Sequence, residues 1–453
     1  MTEKNTILKP AQKLFGRTFY VEKLDKLKAS PDLVKIITGI RRCGKSKLLE
    51  MFQFKLQTEN NVQDNQIISI NLEDNLQAEN IGLKINSKKL FENYEKLISF
   101  VMAKLQPNKM NYVFIDEIQL LENWQMAVNT LRLRENTDIY ITGSNAYMFS
   151  SDLANTFGGR YIEIKMQPLT FKEYFSAYPM TAQFKTSTKE DILNLRNPEY
   201  LFRKYIIESG FPQTVNAFWD KQVIDDYITD VVYNNTVQKD IVKRFKLENF
   251  ENLEKVIFFL FDNIGSEISN KNIINSLKAA GNKISAQSID VYIKGLTDSY
   301  LMYECKRYDI KGKKYLNNNS KYYVCDVGLR KILLGRQDVD MGHILENVVY
   351  LELINRGYKV YVGKIPYFIK KDGKTERKTL EIDFVAQKPG EPIEYYQVAY
   401  YALETETLKR ELAPLEKIKD NHSKFLLSMD YGSGDNNGIK RINVLDWLLD
   451  IKR

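Results

Sequence analysis

Residues 39–46 have the sequence G-I-R-R-C-G-K-S, a complete G-x-x-x-x-G-K-S phosphate-binding pattern, and this segment constrains the fold most. An apolar run at residues 34–38 predicts a strand before it, and residues 47–52 predict a helix after it. In that setting, backbone N–H groups bind phosphate oxygens, a lysine reaches the β- and γ-phosphates, and a serine hydroxyl reaches Mg²⁺. The residues predicted to bind the nucleotide here are Gly39, Ile40, Arg41, Arg42, Cys43, Gly44, Lys45, Ser46 and Lys47.

A second motif adds carboxylates to this site. Residues 112–115 are apolar and are followed directly by Asp116 and Glu117. This is the pattern of a buried strand with two acidic groups at its carboxyl end. We predict that Asp116 holds Mg²⁺ together with Ser46, and that Glu117 acts as general base on the attacking water. Lys45 is also predicted to be catalytic, because its positive charge stabilises the β- and γ-phosphates.

Polar residues also follow a third predicted strand, at residues 138–143. In a parallel sheet the ligand lies beyond the carboxyl ends of the strands. Ser144 or Asn145 is therefore predicted to orient water or the γ-phosphate, with a plain turn as the alternative. Arg160 is a candidate for stabilising transition-state charge, in the same subunit or in a neighbouring one. A structural ion pair is an equal alternative for Arg160.

Together these motifs resemble those of bacterial and archaeal AAA-type P-loop ATPases that carry a C-terminal restriction-endonuclease-like domain of largely unassigned function. The resemblance spans nearly the whole chain and implies ATP hydrolysis with Mg²⁺. No guanine-recognition Asn-Lys-x-Asp pattern occurs at a suitable place, which favours ATP over GTP. The matching segments are residues 39–46, 116–119, Trp124, 142–144, 159–160, 168–175, 208–212, 239–244, 342–347 and 381–385.

The predicted fold class is α/β, with a parallel-sheet AAA ATPase core followed by three further parts. Alternating strands and helices place the core, with a lead-in helix, at residues 1–175. A helical lid is predicted at 176–250, a winged helix at 251–335 and an α/β restriction-endonuclease-like domain at 336–453. The winged helix has two helical segments and a hairpin that turns at Gly312. Its partner is predicted to be DNA or another protein.

The last domain has only part of a PD-(D/E)xK nuclease site. Such a site binds Mg²⁺ through carboxylates and uses a lysine on the water or the phosphate. Glu346 and Asp383 match the carboxylates, whereas the final element has Gln397 and Ala399 in place of Glu and Lys. An amide binds metal weakly and a methyl group cannot replace an ammonium. We therefore predict a vestigial site without cleavage, although Lys364 or Lys370 could supply a migrated lysine.

Composition limits the class of protein. The net charge of +8 and pI near 8.9 permit an anionic partner without requiring one. Three scattered cysteines and two histidines favour neither a disulfide framework nor a zinc site. No apolar run approaches the ~20 residues of a membrane span, and the amino terminus lacks the apolar core of a signal peptide. The expected location is cytoplasmic, without a membrane partner.

These observations predict an ATP-binding and ATP-hydrolysing switch or motor that works near nucleic acid, and they are compatible with an oligomer. Two other functions stay open. One is an ATP-gated, metal-dependent nuclease. The other is a signalling or defence scaffold in which ATP locks an assembly and hydrolysis resets it.

Overall fold

The computed structural model describes residues 16–86, 90–144, 157–182, 196–215, 219–247, 250–335, 340–371 and 374–451. They divide into two compact units. The first unit comprises Met1–Pro168 with Asp298–Tyr300, and the second comprises Leu169–Thr297 with Leu301–Arg453. Among the described residues, no helix is both long enough and apolar enough to cross a bilayer.

The first unit is built on a parallel sheet of five strands in the order β2-β5-β6-β1-β7. A separate small antiparallel pair joins β3 to β4. The strands are β1 (Val34–Thr38), β2 (Ile67–Asn71), β3 (Lys84–Ile85), β4 (Phe91–Glu92), β5 (Asn111–Asp116), β6 (Thr137–Gly143) and β7 (Tyr161–Lys165).

Helices cover this sheet because its central strands are buried along their whole length. Lys35 of β1 is charged yet fully buried, and it forms an ion pair with Asp138 of β6, which also accepts a hydrogen bond from the Tyr140 hydroxyl at 2.8 Å. The helices are α1 (Thr18–Lys26), α2 (Lys45–Thr58), α3 (Asn75–Ile81), α4 (Tyr94–Lys104) and α5 (Trp124–Arg132), with 3₁₀ turns at Asp64–Gln66 and Ile118–Leu120.

The strand order places β6 between β1, which precedes the phosphate loop, and β5, which ends in Asp116. Along the chain, β2 lies between β1 and β5. In space β2 is the edge strand beyond β5. The acidic residue Asp74 after β2 caps α3 by accepting from the N–H groups of Leu76 and Gln77, so its carboxylate has a structural role.

The second unit begins with helices and ends with a large sheet. Its helices are α6 (Phe171–Ala182), α7 (Pro198–Glu208), α8 (Lys221–Asp226), α9 (Lys243–Phe245), α10 (Phe250–Asp262), α11 (Asn270–Ala279), α12 (Ala286–Asp298), α13 (Val327–Leu334), α14 (Met341–Asn355), α15 (Thr405–Glu416) and α16 (Val444–Leu448). Two π-helical segments, Tyr227–Asn234 and Val237–Val242, and a 3₁₀ turn, Pro212–Val215, lie among them.

Nine strands of the second unit form one sheet in the order β15-β16-β14-β13-β12-β11-β9-β10-β8. A parallel pairing of β9 with β11 joins the hairpin that follows α12 to the C-terminal strands. Strands before residue 335 (β9 and β10) and after it (β11) therefore belong to the same sheet, although a domain boundary was predicted there. The strands are β8 (Glu267–Ile268), β9 (Met302–Asp309), β10 (Lys314–Val324), β11 (Lys359–Lys371), β12 (Lys374–Gln387), β13 (Glu394–Ala399), β14 (Ser423–Ser428), β15 (Gly434–Asn436) and β16 (Ile439–Asn443).

Candidate nucleotide site

The loop after β1 is held by two glycines with backbone angles that other residues rarely adopt. Gly39 has φ of +144°, and a Cβ atom there would lie 2.1 Å from the carbonyl oxygen of Met166. Gly44 has φ of +103° and precedes the first residue of α2. Because a side chain at position 39 would clash with backbone, the loop needs glycine there. The tight turn directs the N–H groups of the first turn of α2, which have no intrahelical partners, toward the loop.

The Lys45 side chain is buried and lies along this loop. Its Nζ donates to the carbonyl oxygens of Gly39, at 3.0 Å, and Ile40, at 3.2 Å. These contacts place the ammonium inside the curve of the loop, where it would meet phosphate oxygens. The Lys47 side chain instead forms an ion pair with Glu50 on the exposed surface of α2 at 2.6 Å, so its predicted contribution is limited to the backbone.

The other loop residues differ in exposure. Arg42 is exposed, with φ of +66°, and Arg41 is half-buried. Cys43 is fully buried, and burial raises the pKa of its thiol although the charge of Lys45 acts in the opposite direction. A Cβ atom at Gly39 would lie 3.1 Å from the Cys43 sulfur, and a neutral buried thiol is not a nucleophile. Cys43 therefore has a packing role in the loop.

The two predicted Mg²⁺ ligands meet directly beside the loop. Asp116, at the end of β5, is buried, and its carboxylate is hydrogen-bonded to the hydroxyls of Ser46 and Thr142. Burial raises the pKa of Asp116, whereas these two hydrogen bonds lower it. A carboxylate that is removed from water in this way is stabilised by a cation. The oxygen ligands Ser46 and Asp116 thus fit Mg²⁺, which prefers such ligands.

Glu117 follows Asp116 with a backbone φ of +52°, which turns the chain sharply at the end of β5. Its N–H donates to the Thr142 hydroxyl at 2.9 Å, so Thr142 links the two acidic residues. The Gln119 side-chain amide donates to the Glu117 carboxylate and lies 3.5 Å from the Ser144 hydroxyl. Gln119 was not predicted to act in the site. The signal available in the sequence was its position two residues after Glu117, the predicted general base.

The remaining predicted residues are placed unevenly. Ser144 is buried next to Gln119 and so lies within the site. Asn145 lies outside the described residues. Arg160 is exposed at the start of β7, and its carbonyl oxygen accepts from the Val34 N–H at 3.1 Å. Arg160 is thus at the amino end of the parallel strands, whereas the phosphate loop follows their carboxyl ends. Because β1 has five residues, the Arg160 backbone lies about 16 Å from the phosphate loop of the same chain.

A hydrogen-bonded relay also leads away from the loop. The Thr38 hydroxyl, one residue before Gly39, donates to Glu163 of β7 at 2.8 Å. The Tyr300 hydroxyl donates to the same Glu163 oxygen at 2.9 Å. Tyr300 belongs to the short segment of the first unit that connects α12 to β9. The sequence alone offered no signal for this contact, because 137 positions separate its two residues.

In the second unit, the three predicted nuclease-like residues lie on α14, β12 and β13, and two of them, Asp383 and Gln397, are in contact. The Asp383 carboxylate accepts from the Val398 N–H at 2.8 Å. The Gln397 side-chain oxygen accepts from the Asp383 N–H at 3.4 Å, and its amide donates to Glu411 at 3.1 Å. Glu346 contacts Lys321 of β10 instead. Within the described residues, no group of three or more His, Cys, Asp or Glu side chains is arranged to hold a metal ion.

A buried ammonium lies among these carboxylates. Lys321 Nζ is 2.8 Å from Glu346 Oε1 and 2.7 Å from Glu381 Oε1. Although burial acts to lower it, the carboxylates of Glu346, Asp383 and Glu381 raise the pKa of Lys321. Lys364, one of the two predicted lysine donors, pairs with Glu381 and Glu267. The Lys370 side chain lies outside the described part of the structure.

Comparison with known proteins agrees with this geometry. A family model described as "AAA domain" matches residues 32–175, and one described as a domain of unknown function matches residues 199–340. An uncharacterized protein of Haemophilus influenzae is 36% identical over 437 residues, covering 96% of this chain and 99% of that protein. The uncharacterized protein MJ1544 of Methanocaldococcus jannaschii is 30% identical over 401 residues, covering 87% and 81%.

The chain belongs to the family of these two proteins. Its first unit has the P-loop AAA-type ATPase fold, with the phosphate loop and the acidic pair at the carboxyl edge of a parallel sheet. Among solved structures, the Walker-type ATPase PABY2304 of Pyrococcus abyssi is similar, with 16% identity and a TM-score of 0.42, covering 71% of this chain and 97% of that one.

Proposed function

We propose that this AAA-domain protein is an ATP-hydrolysing switch that uses Mg²⁺. The observation that carries the proposal is the cluster in which Thr142 bonds to Asp116 and to the N–H of Glu117, while Ser46 bonds to Asp116. It brings the lysine-bearing loop, two metal ligands and a general base to one edge of the sheet. A protein that only bound the nucleotide, without hydrolysing it, would not need a general base such as Glu117.

The chain's own residues then have distinct roles. Lys45 and the N–H groups of the loop bind the β- and γ-phosphates, and Ser46 and Asp116 would hold Mg²⁺, which neutralises phosphate charge. Glu117 accepts the proton of the attacking water. Gln119 fixes the direction of the Glu117 carboxylate and, with Ser144, is placed to orient that water. Arg160 would act on the nucleotide of a neighbouring subunit, because it starts at the far edge of its own sheet.

The parts beyond the AAA core are proposed to respond to the nucleotide. Residues 176–250 would form the helical lid. The order helix, strand, helix, helix, strand, strand from α10 to β10 supports a winged helix at 251–335. Tyr300 supports coupling, since the segment bonded to Glu163 is continuous in sequence with α12 and β9.

The C-terminal part is proposed to be a nuclease-like module that does not cut nucleic acid. A metal-dependent nuclease needs an open cation site beside its carboxylates. Here the Lys321 ammonium pairs with Glu346 and Glu381, which supports a built-in positive charge in place of the metal. Residues 336–453 would therefore bind or assemble.

ATP turnover by the full chain tests the proposal. We expect Mg²⁺-dependent release of phosphate that Glu117→Gln strongly slows, and turnover that changes when a partner of the second unit is added. Absence of ATP hydrolysis under all conditions would overturn it. Slow hydrolysis that no nucleic acid alters would favour the scaffold function over a switch that works on nucleic acid.

A further inference from the structure

The hairpin of β11 and β12 extends beyond the rest of its sheet. Neighbouring strands pair with β11 at residues 362–364 and with β12 at residues 384–386. Residues 365–371 and 374–380 pair with each other, from Ile365↔Leu380 to Lys371↔Lys374. We call these residues the basic ribbon. At about 3.3 Å per residue its seven pairs span about 23 Å.

The base of the ribbon packs against the core of the unit, whereas residues 368 and 375–379, farther out, are exposed. Ile365 is fully buried in the core that contains Ile382 and Leu426, and Leu380 packs against that core. Farther out, Arg377 and Lys378 are exposed. Phe368 is 69% exposed and lies opposite Arg377 in the register. A buried base makes the ribbon a defined extension of the sheet, and its exposed positions are free for a partner.

A second basic segment lies against the ribbon. It is the turn between β9 and β10, residues 310–314, which we call the basic turn. The Ile310 N–H donates to the Lys364 carbonyl at 3.0 Å, and Lys311 Nζ donates to the Pro366 carbonyl at 2.9 Å. The Asp309 carboxylate accepts from the Gly312 N–H, at 3.0 Å, within the turn. Lys313 and Lys314 are exposed beside the ribbon.

Exposed basic side chains outnumber acidic ones in these two segments. Among the residues of these two segments whose side chains the structure describes, five are Lys or Arg and one is acidic, a net charge of +4 in a chain of net charge +8. By contrast, α12, which would be the recognition helix of a winged helix, has one lysine and two aspartates. Long-range attraction to a polyanion therefore acts on the ribbon and the turn rather than on α12.

We propose that B-form duplex DNA binds across the basic ribbon and the basic turn, which deepens the proposed function by naming the partner of the second unit and rests on it. The major groove of B-DNA admits a two-stranded β-ribbon, whereas the A-form groove of duplex RNA is too narrow. Register places Arg377 and Lys378 on opposite faces of the ribbon, so each face carries a cation toward one of the two phosphate backbones. The exposed Phe368 ring lies on the same face as its register partner Arg377 and adds apolar contact beside that cation.

Fluorescence anisotropy with the full chain and a 30-base-pair DNA duplex tests this proposal. The test variants are Arg377→Gln/Lys378→Gln and Lys313→Gln/Lys314→Gln. The matched control is Lys271→Gln/Lys278→Gln, which removes two exposed lysines from α11. Each test pair should weaken binding about 10- to 100-fold near 0.1 M salt and reduce the salt slope by about 2, because each lost phosphate contact removes ~0.9 from it.

The control pair should leave DNA affinity nearly unchanged, and duplex RNA of the same sequence should bind more weakly than DNA. The proposal is overturned by unchanged DNA affinity in both ribbon and turn variants, by a larger loss in the control, or by binding to anionic lipid vesicles without binding to duplex DNA. Basal ATP turnover without DNA is measured on every variant. If the parent protein hydrolyses ATP but does not bind DNA, this inference alone is refuted. If the parent does not hydrolyse ATP, the proposed function is refuted.

Discussion

The Gln119 side-chain amide donates a hydrogen bond to the Glu117 carboxylate and lies 3.5 Å from the Ser144 hydroxyl. The Glu117 carboxylate, the proposed general base, is thus held by a neighbour on the 3₁₀ turn that follows it. A base fixed in one direction abstracts a proton efficiently only if that direction matches the attacking water. We therefore propose Gln119 as a positioning residue, whose removal should affect turnover more than ATP binding.

Glu117→Gln should bind ATP and hydrolyse it on the order of 10²–10⁴-fold more slowly, because the amide keeps the shape and loses the basicity. Gln119→Ala should lower kcat by a smaller factor and leave the Kd for ATP unchanged. Phosphate-release kinetics and calorimetric titration measure the two quantities. Parent-like turnover in Glu117→Gln would mean that the base lies elsewhere.

Lys45→Ala should abolish tight binding of Mg²⁺–ATP, since it removes the ammonium held inside the curve of the loop by Gly39 and Ile40. The control is Lys55→Ala on the same helix, whose ammonium pairs with Glu59 on the surface. Calorimetric titration of both variants checks the prediction. Equal ATP affinity in Lys45→Ala and the parent would contradict it.

Tyr300→Phe should remove the hydrogen bond to Glu163 and lower the melting midpoint of the first unit by a few degrees, as expected for loss of about 1 kcal/mol. If the relay couples the units, any effect of DNA on ATP turnover should shrink while basal turnover persists. Tyr303→Phe is a control tyrosine on β9. A stability change without any change in the DNA effect would make the contact purely structural.

Lys321→Met should destabilise the second unit strongly, because it leaves the Glu346 and Glu381 carboxylates without their buried cation. We expect Mg²⁺ to raise the melting midpoint of this variant more than that of the parent, since a cation could then enter. The parent should leave linear and single-stranded DNA intact with Mg²⁺ or Mn²⁺ and ATP. Cleavage that disappears in Asp383→Ala would instead establish a nuclease.

Glu352 should make stability depend on pH. Burial raises its pKa to about 7 from 4.5, although Arg356 acts to lower it and Asp450 and Glu173 act to raise it. Between these values the unfolded chain ionises before the folded one, so stability falls as pH rises through this range and stays reduced above it. At pH 8 the free energy of unfolding of Glu352→Gln should therefore exceed that of the parent by at most ~3 kcal/mol, whereas at pH 4.5 the two should be nearly equal. Thermal melts of both proteins at the two pH values measure this difference. An equal gain at both pH values would contradict this origin.

Local motifs were predictable from the sequence, whereas long-range contacts were not. The loop at Gly39–Ser46 and the carboxylates of Asp116 and Glu117 follow from short patterns whose neighbours already predict strand and helix. The positions of β6 and Lys321 depend on which strands pair, and no short pattern specifies that. Lys321 comes from a strand before the predicted nuclease-like domain, so a search within residues 336–453 could not find it. Composition reported the net charge but not the excess of exposed basic side chains in the basic ribbon and the basic turn.

The parallel pairing of β9 with β11 has a consequence for any fragment that ends near residue 335. Removing β11 would leave the N–H and C=O groups of residues 307–309 as an open strand edge, and such edges recruit other chains. It would also remove the Val360 carbonyl that the buried Cys305 thiol contacts at 3.6 Å. A shortened chain of this kind should therefore aggregate edge to edge and become sensitive to oxidation, even with its ATP site complete.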